Sequence, residues 1–424
     1  MQEYDSNLPL HQNREMSINK MVLARRSWRT RLLPWWKAAI TVLPIFLATR
    51  CVFLILTYLG VVLFTVSDYS FTVISLNDLL TSWNHFDSVR FTIIATRGYP
   101  SLEYAAFFPL YPSLEHLLMS LTLQNAYLAG ILISNIASFG MSIMLYRLVE
   151  VEFDSDTAHR TNLYLAIFPT AFFFFAAYNE SLFLFFALSS LYAMRRGVWW
   201  PAGLCAELAT LTRSVGLILL LVLVYEYICQ TFPRLHPLLQ SNQYRKLLHL
   251  FMDLPAALLI PLALSTYAWY LSVRFNDPLA FSHAQVLWRF GPTPPWYGPF
   301  LAIKNIITFP PGTFFTVHNL IDFIALLLFT TLLLLCFMGR ERFSRQQRSI
   351  GIFGLLILLF PLLFPGLYST PLASMERFVL ECSAGFIMLA RLGRRHWFHQ
   401  LYLVCALPLQ SFLVLQFVTN HWTV

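Results

Sequence analysis

Residues 38–66 read AAITVLPIFLATRCVFLILTYLGVVLFTV, with Arg50 as the only charge. About 20 predominantly apolar residues are enough for a helix to cross the hydrocarbon core of a bilayer. This run exceeds that length, and similar runs recur through the 424 residues. The whole chain is 57% hydrophobic and only 12% charged, with 39 Phe and 11 Trp. Soluble domains carry about 25% charged residues. The balance excludes a soluble enzyme, a disordered tail and a nucleic-acid module, so no nucleic-acid partner is expected. The net charge of +8 then reads as membrane topology. Cys51, Cys205, Cys229, Cys336, Cys382 and Cys405 sit in or beside apolar runs without a CxxC pair, as small buried hydrophobes do.

Working outward, apolar spans are expected at 38–66, 107–147, 161–178, 181–195, 199–214, 216–231, 250–272, 316–338, 349–365, 377–391 and 398–418. The run 107–147 is long enough for two helices, with a break near Gln124-Asn125. The fold class is an all-α polytopic bundle of about 11–12 transmembrane helices. A basic cytoplasmic tail over 1–37 precedes one transmembrane domain over 38–424. Nineteen basic residues fall in the tail and in alternate loops around Arg195, Arg245, Arg342 and Arg394, against six on the opposite face. That bias places the tail in the cytoplasm and the loops 67–106 and 273–315 outside. If 107–147 crossed twice, 148–160 would lie outside, against the later loops. One helix of that pair is therefore expected to be short or half-inserted. Both external loops carry apolar and aromatic patterns suited to the membrane surface. Arg50 is expected to snorkel to the cytoplasmic face. There is no internal repeat of the transporter kind and no GxxxxGK[ST].

Four segments carry chemistry. Trp83 to Arg90 contains His85, Asp87 and Arg90, with Arg97 beyond. A carboxylate at the outer surface suits a general base, and guanidinium groups suit a phosphate. The same pattern also suits a polar loop capping an interfacial helix. Asn179-Glu180-Ser181 lies in a short connection between apolar spans, where a carboxylate is costly. It reads either as a site or as a solvated hairpin turn, and its glycosylation sequon lies too near the membrane to be reached. Arg213, in Thr212-Arg213-Ser214, stands about 18 Å up a helix from Pro201, where it either meets an anion, a ligand or Glu180, or snorkels to the outer headgroups. Arg377 opens a span on the outer side and faces Glu376, Glu381 or a lipid-linked phosphate. The histidines show no HExxH or paired spacing, so no metal and no cofactor are expected.

These segments together resemble the GPI mannosyltransferase II (PIG-V type) family of GT-C glycosyltransferases, and the second external loop and tail resemble its bacterial members. Phe86-Asp87-Ser88 with Gly98-Tyr99 and Ala106-Phe107-Phe108-Pro109 is similar to the family's Trp-Asp loop, Gly-Tyr and Ala-Phe-Phe-Pro. Phe168-Pro169-Thr170 through Tyr178-Asn179-Glu180-Ser181-Leu182-Phe183 resembles its Tyr-Ser-Glu-Ser-Leu-Phe stretch, and Thr212-Arg213-Ser214 its Thr-Arg-Ser motif. Phe86, Phe168 and Val215 depart from the family's usual Trp, Asn and Asn. The resemblance implies a hexosyltransferase that takes mannose from polyprenyl- or dolichyl-phosphate-mannose to a glycan or glycolipid acceptor outside the cytoplasm, with inversion. It implies Asp87 and Glu180 as catalytic residues, and His85, Arg90, Asn179, Arg213 and Arg377 as substrate-binding residues. The resemblance implies the bacterial plasma membrane, or the endoplasmic reticulum membrane in a eukaryote. A polytopic lipid or solute transporter and a non-catalytic subunit of a glycosylation complex are the alternatives.

Overall fold

The computed structural model describes residues 8–65, 73–240 and 252–421. Arg245 and Lys246, the tail residues 1–7 and the loop residues 67–72 lie outside the described residues. Among those described, the chain is helical throughout and has no β-strands. Seven helices are long and apolar enough to cross a membrane: Leu32–Phe64, Ala126–Glu152, Ser214–Pro233, Leu254–Phe275, Phe314–Phe337, Arg345–Leu363 and His396–Val418. The expected spans at 161–178, 181–195, 199–214 and 377–391 are filled by the shorter helices Ser155–Ala166, Glu180–Arg195, Trp199–Thr212 and Ser383–Leu392. Their residues are largely buried inside the bundle, among them Leu184, Leu188, Ala202, Ala206, Phe386 and Ile387. Lining by protein is what lets a membrane pass contain irregular backbone.

The break near Gln124-Asn125 is real. Leu123 and Gln124 both adopt positive φ, at 53° and 61°. Asn125 then caps the next helix by accepting the Leu128 N–H at 3.1 Å. Residues upstream fold as short pieces, chiefly Leu110–Leu118, and only Ala126–Glu152 runs the length of the bundle. The far end of that helix meets the basic end of the molecule. Glu152 pairs with Arg195 at 2.9 Å, Asp154 pairs with Arg394, and Arg147 lies over the Trp35 ring. The segment 148–160 therefore joins the end that holds Trp35, Arg195, Arg391 and Arg394, which resolves the parity of the first passes.

The opposite end is tied by different contacts. Trp83 is 1% exposed, and its indole N–H donates to Thr57 Oγ1 at 2.9 Å. Phe417, near the end of the last helix, packs against Trp83, His85, Phe86 and Tyr178. Arg274 donates to the Tyr99 carbonyl.

Arg50 corrects one expectation. Its guanidinium turns inward and donates to Asn135 Oδ1 at 3.1 Å, Ser138 Oγ at 2.7 Å and the Phe174 carbonyl at 3.2 Å. Asn135 and Ser138 are neighbours on one helix face. They offer interior acceptors, so the side chain does not reach for the headgroups.

The two ends make a topology test direct. In a variant lacking the six native cysteines, single cysteines at Asn77 and Pro292 should react with an impermeant thiol reagent added outside intact cells. One at Ser344 should react only after permeabilisation. All three positions are exposed, so the opposite pattern would invert the membrane orientation.

Candidate active site

Asp87 is the first residue of the helix Asp87–Arg97. The residue before it, Phe86, sits at φ 54° and ψ −115°, a strained conformation for a bulky side chain. The strain is held by anchors on either side. Trp83 is fixed to the first helix, Tyr178 Oη donates to the His85 carbonyl at 3.1 Å, and Ser88 Oγ donates to Asn84 Oδ1 at 2.7 Å. This loop turns the Asp87 carboxylate toward the bundle.

Glu180 starts the helix Glu180–Arg195, and Arg213 stands where the helix Trp199–Thr212 ends. Arg213 takes an extended conformation, and the chain then turns back at Gly216. A Cβ on Gly216 would lie 2.6 Å from the Thr210 backbone, so only glycine permits this return. Asn179 ties the two helix ends. Its Nδ2 donates to the Thr212 carbonyl at 2.9 Å, and its Oδ1 accepts from Arg213 Nη1 at 3.3 Å.

Arg377 comes from the short helix Met375–Phe378. Asp322, from a different long helix, holds that turn by accepting the Met375 N–H at 2.9 Å. Thr170 Oγ1 donates to the Glu376 carbonyl at 2.7 Å. The Arg377 guanidinium lies 4.8 Å from the ring centroids of both Phe173 and Tyr178.

These pieces converge on one carboxylate. Glu180 Oε1 accepts from Arg213 Nη1 at 2.5 Å and from Arg377 Nε at 2.5 Å. Arg377 Nη1 donates onward to Asp87 Oδ2 at 2.8 Å. Glu381 stands 3.2 Å from Arg213 Nη1 as an ion pair without hydrogen-bond geometry. Arg90 lies 3.8 Å from Asp87 Oδ1 and stacks on Trp288 and Phe107. Side-chain exposure rises along the chain of contacts, from 0% at Glu180 through 15% at Arg377 and 24% at Asp87 to 35% at Arg90. The network thus opens to the surface at Asp87. Its Oδ2 is fixed by Arg377, while Oδ1 makes no hydrogen bond among the described residues.

Six of the seven expected residues meet here. His85 stands apart: its Nε2 is buried without a hydrogen-bond partner, and its ring packs on Phe86 and Phe417. Burial holds its pKa below the ordinary imidazole value, partly offset by a bond to the Ser82 backbone. It lines a separate open cavity of about 530 Å³ with Thr65, Asp78 and Thr419. Arg377 pairs with neither Glu376 nor Glu381 but with Glu180 and Asp87. Asn179 is 6% exposed and fully engaged, which agrees with a sequon out of reach. Sequence reasoning missed Asp322, which holds the turn before Arg377. A polar Asn319/Asp322 pair three residues apart inside an apolar span is the signal that marks it. No group of three His, Cys, Asp or Glu suited to a metal occurs among the described residues.

The family model described as Mannosyltransferase (PIG-V) matches residues 45–302, more than half of the chain. The chain belongs to this family, and so to a family of membrane glycosyltransferases. No curated protein matches it. Among solved structures, it is similar to ArnT from Cupriavidus metallidurans bound to undecaprenyl phosphate, with 16% identity and a TM-score of 0.47. That likeness covers 84% of this chain and 62% of that one. A second is the archaeal oligosaccharyltransferase AglB from Archaeoglobus fulgidus, in complex with an inhibitory peptide and a dolichol-phosphate. There the identity is 12%, the TM-score 0.42, and the coverage 88% of this chain and 56% of that one. The chain thus spans less than two thirds of the length of either protein.

The shared carboxylate carries a stability expectation. Glu180→Gln leaves two guanidinium groups without their common anion in a buried position. Losing one partner of a buried pair costs about 3–5 kcal/mol. The variant should show a clearly lower thermal midpoint in detergent, and an unchanged midpoint would contradict the bridging role.

Proposed function

We propose that this chain transfers mannose from polyprenyl- or dolichyl-phosphate-mannose to a lipid-linked or glycan acceptor on the non-cytoplasmic face, with inversion and with Asp87 as the base. Membership of the mannosyltransferase family supports the reaction class. The observation that carries the assignment of Asp87 is its geometry: one carboxylate oxygen held by Arg377, the other without a hydrogen bond and in only a 3.8 Å contact with Arg90, at the open end of an otherwise buried ion-pair network.

In this reading the acceptor hydroxyl approaches Asp87 Oδ1. Its oxygen attacks the anomeric carbon as its proton passes to Asp87. The bond from that carbon to the phosphate oxygen breaks, and the electron pair leaves with the lipid phosphate. Arg377 fixes the rotamer of Asp87, and its own position is fixed by Glu180 and by the two aromatic rings. Arg213 and Arg377 keep positive charge near the departing phosphate. Glu180, at 0% exposure, acts in this reading through Arg213 and Arg377 rather than directly on substrate. Asn179, bound to Thr212 and Arg213, positions the helix ends in the same way. Arg90, stacked at the mouth, is placed to meet substrate. His85, in its own cavity, contacts the acceptor side only through the loop that carries Asp87. The protein works in the plasma membrane of a bacterium, or in the endoplasmic reticulum of a eukaryote.

The test uses membranes from cells expressing the chain, incubated with labelled dolichyl-phosphate-mannose. Label should enter a new lipid or glycan product, and Asp87→Asn should lower the rate by about 10²-fold or more at unchanged expression and monodispersity. A wild-type rate in that variant removes Asp87 as the base. Label entering from GDP-mannose, with synthesis of the lipid donor blocked, overturns the donor.

A further inference from the structure

Arg289 belongs to the segment Arg289–Thr293 that lies along residues 363–366. The Phe290 N–H donates to the Pro365 carbonyl and the Thr293 N–H to the Leu363 carbonyl, both at 2.9 Å. Arg289 pairs with Gly366 in an isolated antiparallel bridge, and its Nη1 donates to the Phe364 carbonyl at 2.7 Å. The guanidinium then extends over the Phe378 ring at 5.0 Å. Arg213 lies over the same ring at 5.6 Å. Phe378 directly follows Arg377, and Trp288, the residue before Arg289, carries Arg90 on its face at 5.3 Å. Arg289 and Arg213 therefore share the Phe378 ring, next in the chain to Arg377, while Arg90 lies on Trp288.

Their partners are unequal. Arg213 and Arg377 share Glu180, with Glu381 and Asp87 as second anions. Arg90 has only a long contact to Asp87. Arg289 forms no ion pair among the described residues; Asp322 is the carboxylate that acts on it electrostatically, from beyond ion-pair range. Burial, and then the like charges of Arg213 and Arg377, lower its pKa to about 10. Arg90, Arg213 and Arg377 each stand in an ion pair with Asp87, Glu180 or Glu381, so among the described residues Arg289 is the one guanidinium of the four without one. A phosphodiester brings one negative charge. A guanidinium anchored through one nitrogen still offers donors to two phosphate oxygens.

We infer that Arg289 is the seat for a phosphate ester beside the network, while the ion-paired Arg213 and Arg377 hold the geometry behind it. The inference rests on the proposed glycosyl transfer in taking that phosphate to be the donor's. An anion docked there leaves Asp87 free to face the acceptor, since the seat and the base are then held by different arginines.

The test is footprinting of the wild-type protein. Purified protein in detergent is treated with phenylglyoxal, alone or with dolichyl phosphate, dolichol, inorganic phosphate or phosphatidylglycerol, and each arginine is scored by peptide mass. Dolichyl phosphate at saturation should slow modification of Arg289 at least fivefold, while dolichol leaves it unchanged. Exposed Arg97 should be unaffected throughout. Equal protection by inorganic phosphate or by phosphatidylglycerol overturns a seat for the donor lipid. Failure of dolichyl phosphate to protect Arg289 overturns the seat altogether. A second arm measures dolichyl phosphate binding to Arg289→Gln and Arg289→Lys. Gln should weaken it at least tenfold and Lys less, with Arg97→Gln at wild-type affinity; wild-type affinity in Arg289→Gln also overturns the seat. Binding is read without turnover. Loss of protection with intact, Asp87-dependent transfer therefore removes only the seat, whereas protection without transfer removes only the enzymatic reading.

Discussion

One buried carboxylate organises this molecule. Glu180 receives two guanidinium groups on a single oxygen, and those groups come from segments that share no secondary structure. An ionised carboxylate inside a membrane bundle is unfavourable without partners, and so is an arginine. Each side of this bridge exists because the other neutralises it. The result is a fixed point at which the helix start at 180, the helix end at 213 and the turn at 377 must meet. Asp87 is held at the edge of that point by Arg377.

The site lies where helices begin and end. Helix termini leave polar backbone groups unpaired and tolerate extended or strained residues, which the middle of a membrane helix does not. Arg213 uses an extended break, Phe86 a positive φ, and Ser374 a left-handed turn before Arg377. Two buried aromatic faces, Phe173 and Tyr178, cover Arg377 without competing for its hydrogen bonds. At the far end of the bundle a separate set of ion pairs, Arg195 with Glu152 and Glu226, clamps the basic face. The two ends therefore differ: one gathers basic side chains with their carboxylate partners, the other carries the polar site.

Much of this was legible in the sequence because a membrane makes charge rare. Asp87, Glu180, Arg213 and Arg377 stand out as charges in or beside apolar runs, and the structure joins all four. The basic bias and the break at Gln124-Asn125 were equally readable. What escaped depends on distance in space. Glu180 as the partner of Arg377 spans 197 residues, and no local spacing announces it. Arg289 is one basic residue in an aromatic external loop until its bridge to Gly366 brings it beside Phe378. Arg50 follows the snorkelling rule in isolation, but Asn135 and Ser138 on a neighbouring helix offer nearer acceptors. His85 sits two residues from Asp87, yet the turn at Phe86 sends the two side chains to different surroundings.

The central claim is that Arg213 and Arg377 are energetically joined through the one carboxylate they share. A double-mutant cycle of Arg213→Gln and Arg377→Gln, read as unfolding free energy in detergent, measures this directly. If Glu180 bridges them, the two changes together should depart from the sum of the single changes by about 1 kcal/mol or more. Additivity within about 0.5 kcal/mol would mean that the two arginines act independently, and that the bridge does not organise the site.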